Sequence, residues 1–88
     1  MPLFNGNTMD IADRVYAIFM EELTLDKEAV TPQLTYNSIP EWDSVAHMHV
    51  IMSLEEVFDL TFGDTEIAAL TSVEKIIVAI KRRIEQSA

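Results

Sequence analysis

Apolar residues recur at helical spacing at both ends of the chain, and this periodicity limits the possible folds more than any other feature. Near the N-terminus Ile11, Val15, Ile18 and Phe19 fall at i, i+4, i+7 and i+8, one stripe of a helix. Toward the C-terminus Val73, Ile76, Ile77, Ile80 and Ile84 form a second stripe. With two glycines and three prolines in 88 residues, the pattern predicts an all-α fold. The length supports one core and leaves no room for a catalytic domain beside a second one. We expect a flexible tail over residues 1–6 and a single domain over 7–86.

The first helix is expected to start at a cap on Asn7 or Thr8 and to reach about Leu23, with Asp10 and Asp13 suiting the dipole of its early turns. Thr24 to Asp43 has no sustained period and contains Pro32 and Pro40. A stretch this long exceeds the usual connection between bundle helices. Leu25, Val30, Leu34, Tyr36 and Ile39 along it predict a loop pinned to the core. Pro40 biases Ile39 away from helix, and Trp42 then supplies a large apolar anchor.

A second helix is expected from Ser44 to about Asp59. On it His49, Ser53 and Glu56 share a narrow polar arc, while Val45, Met48, Val50, Ile51, Met52, Leu54, Val57 and Phe58 fill most of the circumference. A domain of this size cannot cover one helix on every side, so part of this surface, Met48 included, should be open for docking. A short helical turn should follow Gly63-Asp64 and end at Leu70. Thr71 and Glu74 have capping-box spacing and predict a last helix to about Glu85. Lys81, Arg82 and Arg83 would suit the dipole of its final turns as a solvated end. The expected sum is three main helices, one short helix and a long first loop.

Several chemistries are excluded. The chain has no cysteine, so it has no thiol nucleophile, thiolate metal site or disulfide. His47 and His49 are two apart on a helix and point about 200° from each other, so they cannot chelate one ion together. Glu21-Glu22 and Glu55-Glu56 are adjacent on helices, and neither pair shares a face as an acid/base couple must. There is no phosphate-binding glycine loop and no Gly-x-Ser-x-Gly elbow. The chain does not read as an enzyme. Its 15 acidic and 6 basic residues give a formal charge of −9, which disfavours nucleic acid and favours a basic protein surface. The longest apolar run, Ile76 to Ile80, is too short to span a membrane. Neither an early basic residue nor an apolar run marks a signal peptide, so a cytoplasmic location is expected.

Ser44 has an unusual position: the start of a helix, after a structured loop, directly behind Asp43. Unpaired N–H groups and partial positive charge at a helix N-terminus would stabilise a phosphate ester there, although either residue can also simply cap the helix. The wider context carries more information. Trp42-Asp43-Ser44-Val45-Ala46-His47, followed by Ser53-Leu54-Glu55-Glu56-Val57-Phe58-Asp59-Leu60, closely resembles the second helix of acyl carrier proteins. The resemblance continues through Ile67 to Leu70 and the Thr71-Ser72-Val73 start of the last helix. It spans about residues 8–84 and is strongest from Glu41 to Ile80.

The resemblance implies an acyl-carrier-like four-helix bundle with 4′-phosphopantetheine on Ser44. A separate Mg-dependent phosphopantetheinyl transferase would attach it from coenzyme A, with Asp43 helping to present the serine. The absence of cysteine agrees, because the reactive sulfur would come from the cofactor. No candidate base neighbours Ser44, as expected if the transferase supplies it. Met48, His49, Glu55 and Glu56 are candidate contacts for the transferase and for acyl- or aminoacyl-loading and transfer enzymes. Val45, Leu54, Phe58, Ile67 and Leu70 either shelter a bound chain or simply pack.

Between Lys27 and Lys75 there are nine acidic residues and no basic one, a one-signed field that steers basic partners toward the serine. The chain departs from the family at Glu41, where many members have glycine, at Trp42, and at Val45 in place of a common leucine. Ala46 and His49 occupy positions that are usually acidic in carriers serving fatty-acid synthesis. That difference weakens docking to enzymes tuned to the acidic pattern and points to a specialised pathway. A monomer is expected. An aminoacyl or peptidyl carrier, or a helical interaction module without cofactor, are the alternatives.

Overall fold

The computed structural model describes residues 10–87. These form four α-helices: α1 (Ile11–Glu22), α2 (Ser44–Phe58), α3 (Asp64–Ala69) and α4 (Val73–Ser87), with one 3-10 turn at Lys27–Ala29. The architecture is the expected one of three main helices, a short helix and a long first loop. α1 packs on both α2 and α4. Its start differs from expectation: Asp10 holds an extended backbone at the cap position, so the helix begins at Ile11. Asn7, Thr8 and the tail over 1–6 lie outside the described residues.

α1 and α2 end in the same way. Thr24 and Asp59 adopt left-handed φ values of 53° and 54°, and the next residue bonds back across the last turn. Leu25 N donates to Met20 O and Leu60 N to Glu55 O, at 3.0 and 3.1 Å. These bonds satisfy carbonyls that the helix leaves open, in a position where glycine is usual. The leucine after each reversal is half-buried against the core.

The long loop is stitched to the start of α4. Thr35 and Ser72 form an antiparallel bridge, and Tyr36 N donates to Thr71 O at 2.9 Å. Val73 N donates to Leu34 O and Glu74 N to Pro32 O, both at 3.0 Å. Loop carbonyls therefore satisfy two first-turn N–H groups of α4 that a cap would otherwise serve. Ser72 Oγ accepts from Lys75 N at 3.1 Å. The side-chain cap is thus Ser72, one residue beyond the expected Thr71, and Glu74 does not complete a capping box.

The core is one cluster. Val15, Ile18 and Phe19 from α1, Val50, Ile51 and Leu54 from α2, and Val73, Ile76, Ile77 and Ile80 from α4 are buried together with Val30 and Trp42 from the loop. Leu25, Leu34, Tyr36 and Ile39 pack against it, so the loop is pinned as its composition predicts. The α4 stripe ends earlier than expected, because Ile84 is 40% exposed. The basic cluster also has another role. α4 continues to Ser87, so Lys81, Arg82 and Arg83 fall outside its last turn. Arg83 donates to Thr61 O at 2.6 Å and to Glu66 Oε1 at 2.8 Å, and it lies 5.4 Å from the Phe62 ring centroid. It ties the α2–α3 connection to α4.

Candidate functional site

Ser44 is the first residue of α2, and its side chain is exposed. Asp43 precedes it with an extended backbone, and its Oδ1 accepts from Ala46 N at 2.9 Å. Asp43 O also accepts from His47 N at 2.8 Å, starting the helical ladder. The cap is therefore Asp43 rather than Ser44. Capping leaves the serine hydroxyl free of a structural task, at the end of a 15-residue helix whose dipole favours an anion.

The segment before Ser44 is held from inside. Trp42 is 0% exposed and packs edge-on against Phe19, with ring centroids 4.8 Å apart. Its Nε1–H donates to His47 Nδ1 at 3.0 Å. His47 Nε2 lies 3.2 Å from Ile67 O. A carbonyl only accepts, so the proton of the neutral ring sits on Nε2, and the imidazole passes one hydrogen bond on to the next group. Tyr36 closes the cluster, its ring 5.3 Å from that of His47 and 6.2 Å from that of Trp42. The first loop, α2 and α3 thus meet at one side chain a single turn after Ser44. Trp42 is the expected anchor, but the role of His47 has no signature in spacing.

The same helix presents an apolar surface to solvent. Val45, Met48 and Met52 are 64%, 46% and 60% exposed, and their i, i+3, i+7 spacing puts them on one face. Met48 is therefore surface, not core, and exposed His49 neighbours it. The polar arc of His49, Ser53 and Glu56 lines a hollow of about 660 Å³, with Glu22, Glu55 and Asp59 around it. Two of its carboxylates are already engaged. Glu22 Oε2 accepts from Ser53 Oγ at 2.7 Å, and Glu55 Oε2 accepts from Phe62 N at 2.9 Å. Glu55 is thus half-buried and fastens the chain beyond α2, whereas Glu56 is exposed. Ser44 and Asp43 lie at one end of α2, with Met48 and His49 a turn along; Glu55 and Glu56 belong to its far end. Among the described residues no cluster of three metal-ligating groups occurs, and no helix is long and apolar enough to cross a membrane.

Comparison with known proteins decides the family. No family model matches the chain. Against curated proteins, it is 30% identical over 78 residues to the acyl carrier protein of Thermosynechococcus vestitus, covering 89% of this chain and 96% of that protein. The chain belongs to the acyl carrier protein family. It is also 31% identical over 68 residues to the acyl carrier protein of Rubrobacter xylanophilus, covering 77% of this chain and 84% of that one. With the acyl carrier protein of Phytoplasma australiense it shares 20% identity over 74 residues, covering 84% and 97% of the two chains. Membership gives the arrangement around Ser44 a chemical context: an exposed hydroxyl on a capped, anchored helix start, in a family of carriers.

Proposed function

We propose that this chain is an acyl carrier whose Ser44 accepts 4′-phosphopantetheine. The observation that carries the reading is the division of labour at the start of α2: Asp43 caps the helix, and Ser44 stands exposed beside it. The residues fit the group. A phosphodiester on Ser44 sits where the dipole of α2 is favourable, which contributes roughly 0.3–1 kcal/mol. Ser44 Oγ, deprotonated by a base on the transferase, forms the new phosphorus–oxygen bond as the pyrophosphate bond of coenzyme A breaks and adenosine bisphosphate leaves. Once attached, the group supplies a terminal thiol that holds an acyl unit as a thioester. Asp43 fixes the backbone on which the serine is presented, and Trp42 and His47 fix that backbone from below. The protein is then a substrate of other enzymes, with no turnover of its own, acting in the cytoplasm as one carrier domain.

The surface around Ser44 supports transient docking to basic enzymes. Exposed Glu41 and Asp43 precede the serine, and Val45, Met48 and Met52 follow as an apolar strip. Charge steers the encounter and the strip supplies contact area. Ala46 and His49 leave the early turns of α2 without a carboxylate. This supports a carrier for a specialised pathway over one serving general fatty-acid synthesis.

The test is intact mass after incubation with coenzyme A, Mg²⁺ and a broad-specificity phosphopantetheinyl transferase. Wild type should gain one phosphopantetheine and Ser44→Ala none. Because Asp43 is the cap, Ser44→Ala should unfold within about 0.5 kcal/mol of wild type. Modification of Ser44→Ala would refute the site. A folded wild type that gains nothing beside an active control carrier would favour an interaction module.

A further inference from the structure

We propose that the groove between α3 and α4 is a second docking surface, fitted by shape and charge to an acidic amphipathic helix of a partner protein. It takes a partner of opposite charge to the one that the Ser44 end of α2 attracts, and it leaves that end free. The inference does not depend on how Ser44 is used.

One face of α4 forms the groove. Lys75, Val78, Ala79 and Arg82 fall at i, i+3, i+4 and i+7, so they stand in one row along the helix. With Ala69 of α3 and Leu70 just after it, they line an open hollow of about 580 Å³. The middle of that lining is apolar: Leu70 is buried, Ala79 half-buried, and Val78 is 41% exposed. An exposed apolar groove rimmed by charge is the form in which one protein receives a helix of another.

Charge selects the occupant. Four of the six basic residues of the chain lie from Lys75 to Arg83, with no acidic residue among them. Lys75 Nζ donates to Thr71 Oγ1 at 3.2 Å and retains two donors. Arg82 is exposed and has no partner among the described residues. Of the carboxylates on the rim, Glu66 is already paired with Arg83 at 2.8 Å, which leaves Glu74 to oppose an acidic guest. Lys75 and Arg82 are seven residues apart, about 10.5 Å along the axis. A guest helix lying along α4 with carboxylates seven residues apart presents them at the same interval, and the apolar residues between them enter the groove.

A second copy of this chain is the weaker fit. It would have to offer its own α2, with Val45, Met48 and Met52 and the carboxylates around them. That contact is head-to-tail and does not close, so it builds filaments, and it covers the helix start that carries Ser44. The lining residues of the groove come from α3, α4 and the link between them. A partner helix in the groove and an enzyme at Ser44 therefore engage separate surfaces.

The test titrates the isotope-labelled full chain with two synthetic peptides of about 16 residues, long enough to hold a helix, and follows the amide shifts. Both peptides carry leucines along one face. The first flanks them with glutamates seven residues apart, the second with lysines at the same places. The glutamate peptide should shift the amides of Ala69, Val78 and Ala79 and leave those of Val45 and Met52 in place. The lysine peptide should bind at least about fivefold more weakly, and the gap should narrow at high salt. In Arg82→Glu the preference should vanish or reverse, whereas Glu74→Gln should tighten the glutamate peptide about twofold. Arg82 supports no contact in the fold, so its variant should melt close to wild type. Equal binding of the two peptides, shifts confined to α2, or no shift at millimolar peptide would overturn the proposal. Groove amides that move when the protein alone is concentrated would overturn it in favour of a second copy. The protein is used unmodified, so failure here and failure of attachment at Ser44 are separate results.

Discussion

Replacing His47 with alanine is the perturbation that most directly tests how the Ser44 end of α2 is held. The imidazole accepts from the indole N–H of Trp42, a residue with no exposed surface, and it reaches Ile67 O on α3. Truncation takes away the acceptor of the indole N–H, and a buried donor left unsatisfied costs about 1–3 kcal/mol. Ring contacts with Tyr36 and Trp42, at 5.3 and 5.9 Å between centroids, add roughly 0.5–1.5 kcal/mol. The total is about 2–4 kcal/mol, which for a domain of this size lowers the thermal midpoint by roughly 10–25 °C. Circular dichroism melts of His47→Ala and of His49→Ala give the comparison, because exposed His49 should change stability by less than about 0.5 kcal/mol. His47→Gln should recover about half of the loss, since its amide both accepts and donates. In a Trp42→Phe background the indole N–H is absent, so His47→Ala should cost about 1–2 kcal/mol less there than in wild type. Equal costs in the two backgrounds, or a His47→Ala midpoint no lower than that of His49→Ala, would refute the relay.

Three further outcomes follow from the backbone and the caps. Thr24 holds a left-handed φ of 53° with a β-branched side chain, so Thr24→Gly should raise stability by about 0.5–1 kcal/mol in urea denaturation. Ser72→Ala should lower stability by about 1 kcal/mol through loss of the α4 cap, and Thr71→Ala should cost less; the reverse order would restore the capping box expected from the sequence. Arg83→Ala should lower stability by about 1–2 kcal/mol by removing the bond to Thr61 O, the Glu66 ion pair and the Phe62 ring contact. The ion-pair share of that loss should shrink at high salt, which melts at low and high ionic strength will separate.

Much of this fold is legible because burial follows helical period. Val15, Ile18 and Phe19 are buried where the stripe places them, and so are Val73, Ile76, Ile77 and Ile80. The apolar circumference of α2 divides as a small domain requires, with Val50, Ile51 and Leu54 inside and Val45, Met48 and Met52 outside. The hidden features are contacts to backbone groups distant in sequence. Thr61 O is 22 residues from Arg83, and Ile67 O is 20 residues from His47. No spacing rule points a side chain at a remote carbonyl. The displaced α4 cap has the same origin: Leu34 O and Pro32 O serve Val73 N and Glu74 N, and Ser72 takes the donor that remains, Lys75 N. Residues 71–75 carry no trace of that loop.

The proposed attachment serine, which a transferase would have to reach, cannot be positioned by its own contacts, because the exposure that makes it reachable deprives it of neighbours. Its address has to be set by residues on either side. Asp43 fixes the first turn through Ala46 N, Trp42 anchors the approach against Phe19, and His47 joins that anchor to α3. Asn37 N donates to Trp42 O at 3.0 Å, while Tyr36 N bonds Thr71 O just before α4. A short run of bonds therefore leads from the start of α4, through the loop, to the residue two before Ser44. The long first loop, irregular as it is, is bonded both to the start of α4 and to the approach to Ser44. Its backbone bonds tie the approach to Ser44 to α4, so substitutions at Leu34 or Tyr36, half-buried against the core, should lower the thermal midpoint more than substitutions at exposed Val45 or Met52.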